Sequence, residues 1–315
     1  MTIDPTPTAP VLALDVRADP GLVADLAALG RALEAARLGG VVVSGDAERG
    51  ELHPVLAAAA LAPHTHAIAL LARTDAVDVE PFHLATQLMS LDHVSLGRAG
   101  WLVEARSDEA AAAAVGREAL SGADLEREVA DVVRTGRLVW DSWADDAVVR
   151  DVERGVYMDA SRLQYVDAET ATFSVRGPSI TPRSPQGLVP VLVADEDAAA
   201  VGGTTVRDLA DGRARDVEID PTADASAIVA AVRAALEGAR DDEPAPRLVR
   251  LLEAGFAADP EGRALELARA ADELRDLGLV APAPAPGTTL RSQLSLARPD
   301  VVIDPARRAD RARTA

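Results

Sequence analysis

Short apolar runs alternate with helical stretches through most of this chain, and this alternation limits the fold more than any other feature of the sequence. Each run has the length of a buried strand, and each helical stretch is long enough to cover a sheet. Continuous Val, Leu and Ala content is typical of parallel strands that are buried on both faces. The sequence therefore predicts an α/β fold built on a parallel sheet. The predicted strands are 11–16, 41–43, 67–72, 101–103, 189–193 and 214–219, and the predicted helices are 20–37, 51–62, 81–93, 108–139 (broken near Ser121-Gly122) and 224–237.

The alternation is interrupted once and then fades. Residues 140–188 hold both tyrosines and two of the three tryptophans, and we predict an inserted excursion of turns and short antiparallel strands there. Beyond residue 219 we expect no further strand, because 247–257 and 260–277 both show helical spacing. The expected organisation is a single domain over 1–280, followed by a Pro-rich linker and C-terminal tail at 281–315 that is mostly exposed or disordered.

Composition excludes several classes of function. The net charge of −19, from 32 basic and 51 acidic residues, repels phosphate backbones and anionic lipids, so we expect neither nucleic-acid nor membrane binding. The absence of cysteine excludes disulfides and thiol nucleophiles. The N-terminus lacks the pattern of a signal peptide, and no apolar run reaches the roughly 18–20 residues of a membrane helix. We therefore expect a cytoplasmic protein.

Several short sequence motifs are more specific than the composition. Residues 80–101 read EPFHLATQLMSLDHVSLGRAGW, a helix that Pro81 can begin, then a turn and the start of a strand. In this order, the stretches resemble the luciferase-like flavin-dependent monooxygenases, in the branch of nitrilotriacetate and dibenzothiophene-sulfone monooxygenases. The other matching stretches are LVWDSWADDAVVRD (138–151), GVYMD (155–159), FSVRGP (173–178), PRSPQG (182–187), GTTLR (287–291) and LARP (296–299).

The resemblance implies a TIM-type (β/α)₈ barrel of the bacterial luciferase-like kind, with its site at the carboxyl ends of the strands. It also implies reduced FMN supplied by a separate flavin reductase, and transfer of oxygen from O₂ to a small organic substrate. Homo- or hetero-dimers are common in the family. Because no counterpart to the seventh and eighth strands is evident, we expect the barrel to be incomplete or irregular in its C-terminal half, with an open edge unless a partner covers it.

Carried over to this chain, the family's flavin-binding pattern is largely replaced. Asp46, after the second strand, matches a family aspartate near the flavin, although it also suits a helix start or a loop charge. Thr74 could supply one hydroxyl, but it lies one position from the family's threonine. Arg73 and Asp75 beside it are expected to form a solvated rim. The resemblance implies that Leu102, Ala105 and Arg106 replace Asn, Thr and Ser donors, and that 116–128 lacks the family's His and Tyr.

The fifth strand carries the largest departure. Where the family places serines around the FMN phosphate, this chain reads Ala194-Asp-Glu-Asp-Ala198. Carboxylates facing a phosphate would repel it, although acids in the first turn of a helix are also common helix caps. His64 and His66 could suggest a metal pair, but the start of a strand is the non-catalytic end of such a barrel. We expect no metal site.

Two readings therefore remain open from the sequence. The first is an FMN-dependent two-component monooxygenase with a divergent flavin site, in which Asp46 and Thr74 bind the cofactor. The second is a non-catalytic relative that has lost FMN binding and acts as a subunit or binding module.

Overall fold

Seven parallel strands form a closed barrel in the computed structural model, which describes residues 9–46, 49–200, 209–238, 244–253, 256 and 259–302. Around the barrel the order is β1-β2-β3-β4-β9-β10-β11, and β11 pairs again with β1. The strands are β1 (Val11–Arg17), β2 (Gly40–Ser44), β3 (Ala69–Asp75), β4 (Ala99–Glu104), β5 (Val148–Asp151), β6 (Val156–Met158), β7 (Val166–Glu169), β8 (Ser174–Gly177), β9 (Val191–Ala194), β10 (Gly212–Glu218) and β11 (Leu248–Leu252). The TIM-type barrel is confirmed, and its seven strands in place of eight agree with the expected irregularity.

Helices cover the outside of the barrel, and most begin at a side chain that satisfies free backbone N–H groups. Asp25, Glu80, Asp108, Asp224 and Asp259 each accept such a hydrogen bond at a helix start. Within the described residues no helix is long and apolar enough to cross a membrane. The helices are α1 (Leu26–Ala35), α2 (Pro54–Leu61), α3 (Pro81–Val94), α4 (Glu109–Ala114), α5 (Gly122–Trp140), α6 (Asp195–Ala200), α7 (Ala225–Glu237), α8 (Pro260–Asp276) and α9 (Leu290–Gln293).

Strand β11 overturns two expectations. The sequence predicted a helix over 247–257 and an open barrel edge, but Leu248–Leu252 is a strand that pairs with both β10 and β1 and so closes the barrel. The run Leu-Val-Arg-Leu-Leu is too short for its periodicity to separate strand from helix, and Arg250 interrupts its apolar character. Pairing on both sides decides the conformation. Residues 254, 255, 257 and 258 lie outside the described part of the chain.

The excursion and the C-terminal segment pack on the barrel in different ways. Strands β5–β6 and β7–β8 form two separate antiparallel hairpins within the segment that was predicted to be an insertion. Helix α9 lies across the N-terminal end of the barrel, and Leu290 and Leu294 pack into the apolar interior there. The expectation of a mostly exposed tail was therefore wrong for this segment. Residues 303–315 lie outside the described ranges, and the domain boundary near 280 stays a prediction.

Candidate functional site

The carboxyl ends of the barrel strands are ionic, whereas the rest of the barrel interior is apolar. Alternate residues of a strand share a face, so the inward positions of β1 are Val11, Ala13 and Asp15. Val11 and Ala13 belong to the apolar interior, and Asp15 lies one step nearer the carboxyl end. In the neighbouring strands, the inward residues also change from apolar to polar or charged toward the carboxyl end. We call this end the barrel mouth, and its inward residues are Asp15, Ser44, Arg73, Glu104, Asp216 and Arg250.

Arg250 forms the centre of the barrel mouth. Its side chain is 3% exposed and makes two hydrogen bonds to the carboxylate of Asp216, with Nε 2.8 Å from Oδ1. Its Nη1 lies 3.3 Å from Oδ2 of Asp15, whose other oxygen accepts a 2.6 Å hydrogen bond from the Ser44 hydroxyl. Burial raises the pKa of Asp15, although Arg250 and Ser44 both act to lower it. The guanidinium thus neutralises two buried carboxylates.

Arg73 forms a second ionic centre beside the first. Its guanidinium lies 3.1 Å from Glu104, 3.1 Å from Glu196 and 3.2 Å from Asp197. Glu196 Oε1 also lies 3.6 Å from Nη2 of Arg250, and this contact joins the two centres across the barrel mouth. The Arg73 side chain is only 18% exposed. The expectation that Arg73 belongs to a solvated rim was therefore wrong, because its charge is buried among acids from β4 and α6.

The acidic run Asp195–Asp197 has a counterion for every carboxylate. It forms the first turn of α6, directly after β9. Asp195 accepts a 2.9 Å hydrogen bond from Nε of Arg213 and another from Arg215. Asp197 also accepts the backbone N–H of Ala105 at 3.0 Å. The acids occupy a helix start, as one of the two sequence readings expected, and they also pair with arginines. The sequence did not predict these arginine partners, because they come from distant strands.

A cleft of about 480 Å³ opens at one side of the barrel mouth, where two of the mouth residues line it together with the ends of β2, β3 and β4. Asp46 and Thr74, the two residues that the sequence singled out for cofactor binding, both line it. Asp46 pairs with Arg49 at 3.5 Å, and Thr74 is 5% exposed. The cleft also contains His53, whose Nδ1 is buried without a hydrogen-bond partner in the described structure. The volume is within the range of small-molecule pockets.

Asp75 lies in the same cleft and makes stability depend on pH. Burial raises its pKa to about 6, even though the N–H groups of Val77 and Asp78 donate to the carboxyl. Between the ordinary aspartate pKa of 3.8 and about 6, the folded protein holds a proton that the unfolded chain has released. Raising the pH through this interval therefore lowers the stability of the folded state.

We expect the protein to lose stability relative to its Asp75→Asn variant as the pH rises from about 4.5 to 7.5, because the asparagine does not ionise. Urea unfolding of both proteins at the two pH values measures the difference between their free energies. Comparing the two proteins removes the contribution of the other acids. The same pH response in both proteins would contradict a raised pKa at Asp75.

Comparisons with known proteins agree with the barrel. No protein-family model matches the chain. The chain is 32% identical over 305 residues to one of the subunits of pristinamycin IIA synthase from Streptomyces pristinaespiralis, and the match covers 93% of this chain and 97% of that protein. It is 38% identical over 141 residues to N-acetyl-S-(2-succino)cysteine monooxygenase of Bacillus subtilis (strain 168), and 32% identical over 173 residues to nitrilotriacetate monooxygenase component A of Aminobacter aminovorans. The chain belongs to the luciferase-like flavin-dependent monooxygenase family.

The extent of the matches differs between these relatives. The Bacillus match covers 44% of this chain and 32% of that enzyme, and the Aminobacter match covers 52% and 38%. The chain thus spans about a third of the length of these luciferase-like monooxygenases, but nearly all of the synthase protein. A crystal structure of riboflavin lyase superposes with a TM-score of 0.69 at 16% identity, over 96% of this chain and 100% of that one. This likeness shows the fold. The homologues named as monooxygenases support flavin chemistry in the family, and the name "component A" suggests a two-component system for that relative.

Proposed function

We propose that this chain is an accessory subunit of a two-component flavin-dependent monooxygenase, and that another chain of the complex binds reduced FMN. The observation that carries the proposal is the ion pairing of the barrel mouth, where Arg73 and Arg250 are paired with carboxylates from β1, β4, α6 and β10. The relative that matches nearly the whole chain is named as a subunit of a synthase, which supports the same role.

The residues of the barrel mouth do not fit the FMN phosphate in the arrangement that the resemblance implies. A phosphate binds where backbone N–H groups and cations are available to it. Here the first turn of α6 carries Glu196 and Asp197, and the arginines within reach are already paired with acids. One pair of like charges about 4 Å apart costs on the order of 4 kcal/mol at intermediate dielectric. Binding a dianion would require this network to rearrange.

The end of β4 supports the same conclusion for the ring system of the flavin. Leu102 lies in the apolar interior of the barrel, and the backbone N–H of Ala105 already donates to Asp197. Arg106 is 62% exposed and approaches Glu104 at 3.8 Å. None of these three side chains presents a neutral hydroxyl or amide to a ligand. The positions that would hold hydrogen-bond donors in the family's pattern carry an apolar side chain, a methyl group and a solvated cation.

In the proposed complex, the protein contributes a rigid barrel to a partner that carries out the oxygen transfer. Reduced FMN would come from a separate flavin reductase, and the chain would work in a dimer or larger assembly in the cytoplasm. Its own residues would support the partner rather than hold the reacting atoms.

An anaerobic titration with reduced FMN, followed by calorimetry and absorbance, tests the proposal. We expect no saturable binding by this chain at flavin concentrations up to about 1 mM, because the carboxylates of the barrel mouth repel the phosphate. A luciferase-like monooxygenase that binds reduced FMN, titrated in the same buffer, serves as the positive control. Saturable binding in the micromolar range would overturn the proposal.

A second candidate is a monooxygenase with a divergent flavin site, and the observation that favours it is the cleft beside the barrel mouth. Thr74, Asp46 and His53 all line this cleft, and Nδ1 of His53 is buried without a hydrogen-bond partner in the described structure. If reduced FMN binds there, Thr74→Val should weaken its binding, whereas the exposed Arg269→Met should leave it unchanged. That pattern would favour this candidate.

A further inference from the structure

The cleft at one side of the barrel mouth carries more negative than positive charge. Five acidic residues line it, against the two arginines Arg73 and Arg106. Arg73 pairs with Glu104 and with two acids of α6, so its charge is already balanced within the protein. Glu51 accepts two hydrogen bonds from Arg17 and is balanced as well. A cleft lined mainly by one sign of charge attracts ligands of the opposite sign, so this cleft favours a cation.

Asp75 is an acid of this cleft that has no arginine partner in the described part of the chain. One of its oxygens accepts the N–H of Val77 at 2.8 Å, and the other accepts the N–H of Asp78 at 3.1 Å. An ionised carboxylate can accept about four hydrogen bonds, so each oxygen keeps room for another donor. The charges of Asp78 and Glu104 oppose ionisation of Asp75. A ligand cation would therefore supply the counter-charge that the protein does not provide.

The rest of the cleft lining is largely apolar. Leu52 and Pro54 lie before and at the start of α2, Val79 precedes α3, and Ala111 lies on α4. The Leu52 side chain is 42% exposed, so a ligand in the cleft would cover apolar surface that now faces water. A bare metal ion would make no use of such a lining. Within the described ranges, moreover, no group of three or more His, Asp or Glu residues could hold one.

His53 adds a second polar group to the same cleft. Burial and the neighbouring His83 both lower the pKa of its imidazole below the ordinary value of 6.5, so the ring is neutral at pH 7. A neutral imidazole keeps one nitrogen that accepts a hydrogen bond. The buried Nδ1 has no partner among the described residues. A primary ammonium group carries three N–H donors, which is enough for a carboxylate and a further acceptor.

We propose that this cleft binds a small organic cation, a protonated primary amine on an apolar skeleton. Its ammonium group pairs with Asp75, and its apolar part lies against the aliphatic side chains of the lining. The volume of about 480 Å³ is sufficient for such a molecule. The inference goes beyond the accessory role and does not rest on it, because titrations with flavin and with an amine can succeed or fail independently.

Calorimetric titration with 4-phenylbutylamine tests the proposal. We expect saturable binding with a dissociation constant of about 1 mM or tighter, at about 0.15 M salt to screen general attraction to the acidic surface. The neutral 4-phenylbutan-1-ol and the anionic 4-phenylbutyrate have the same apolar skeleton, and should bind at least about tenfold more weakly. Equal binding of the amine and the alcohol would overturn the proposal, and so would the lack of any saturable binding of the amine.

Two variants separate Asp75 from the overall charge of −19. Asp75→Asn should weaken binding of the amine about tenfold or more, because the carboxylate is lost while the shape is kept. Glu237→Gln removes the same charge from an exposed acid at the end of α7, and should leave binding unchanged. Equal losses in both proteins would mean that the amine is attracted only to the acidic surface, which overturns the proposal. Ala111→Leu keeps every charge and narrows the cleft, so it should also weaken binding.

The absence of cysteine from the chain allows the ligand to be located. In the Leu52→Cys protein, 4-phenylbutylamine at ten times the dissociation constant measured for that protein leaves about a tenth of the sites free. Alkylation of the thiol by iodoacetamide should then slow severalfold. Leu265→Cys, at a 55% exposed residue on α8, is the matched control, and its alkylation should not change. An unchanged rate in Leu52→Cys would place the amine outside the cleft and overturn the proposal.

Discussion

Replacing Arg250 with methionine should lower the free energy of unfolding by about 3–5 kcal/mol, because the change leaves two carboxylates without their buried counterion. Asp216 loses both hydrogen bonds from the guanidinium, and Asp15 loses its ion pair but keeps the hydrogen bond from the Ser44 hydroxyl. The side chains of Asp15 and Asp216 are 10% and 20% exposed, so water compensates little of the loss. Urea unfolding at pH 7 measures the effect, because both acids are charged there in the unfolded chain.

Two further variants separate the ionic effect from a general loss of packing. Arg269→Met removes an arginine that is 61% exposed in its pair with Glu266, and should cost less than about 1 kcal/mol. Adding Asp216→Leu to Arg250→Met should recover part of the stability, since replacing both partners of a buried ion pair by apolar residues is often nearly neutral. If the double variant were less stable than Arg250→Met, the loss would come from packing rather than from an unpaired charge.

The second large effect is expected at the opposite end of the barrel, where Leu290 of α9 fills the interior. Leu290→Ala should cost about 2–5 kcal/mol, because the removed atoms leave a cavity among buried side chains. Gly100 on β4 faces the same space, and a Cβ built there would lie 2.5 Å from Cδ2 of Leu290 and 3.0 Å from Cγ of Leu71. Gly100→Ala alone should therefore cost about 1–3 kcal/mol through overpacking.

Combining the two substitutions tests whether α9 is a true part of the core. In the Gly100→Ala/Leu290→Ala protein, the added methyl group enters the space that the leucine has left, so the combined loss should be smaller than the sum of the single losses. Thermal or urea unfolding of the four proteins gives this coupling. Leu265→Ala, at an exposed position of α8, is the control for loss of a leucine side chain. Strict additivity would show that α9 does not fill the barrel end.

The stretches of sequence that match the family stabilise the scaffold and do not form the barrel mouth. Asp92, from the stretch at 80–101, accepts hydrogen bonds from the Ser184 hydroxyl at 2.7 Å and the Gln186 amide at 2.6 Å. Gln186 in turn accepts the backbone N–H of Arg291 at 2.7 Å. Three of the matching stretches therefore meet in one buried network at the N-terminal end of the barrel. A match to these stretches predicts the fold, and leaves the chemistry at the other end open.

Arg98, from the same stretch, shows why such residues are needed. Its buried guanidinium donates to the carbonyls of Ala62, Thr65, Ile68 and Ser95 and to the Thr65 hydroxyl. A single side chain thus satisfies the connection between α2 and β3 and the turn before β4. Nothing local in the sequence indicates these acceptors. Three of these contacts join Arg98 to residues 33 or 36 positions away in the sequence, so the acceptors are placed by packing between distant segments.

By itself, the sequence determined the elements whose patterns are local. The first four barrel strands, the helices between them, the break before Gly122 and the antiparallel excursion all agree with the structure. Apolar runs and helical spacing depend on neighbouring residues, so they can be recognised without knowing the partner elements. Asp46 and Thr74, which the sequence singled out, both line one cleft, although their role with a cofactor stays a proposal.

Tertiary structure alone decided what depends on pairing between distant segments. Strand β11 forms because β10 and β1 both pair with it, and that pairing closes the barrel that had been expected to stay open. The acids of α6 pair with arginines on β3, β10 and β11, and closure of the barrel brings these arginines close to them. An ionised side chain has no fixed role until its burial and its counterions are known, because these set the energy of its charge.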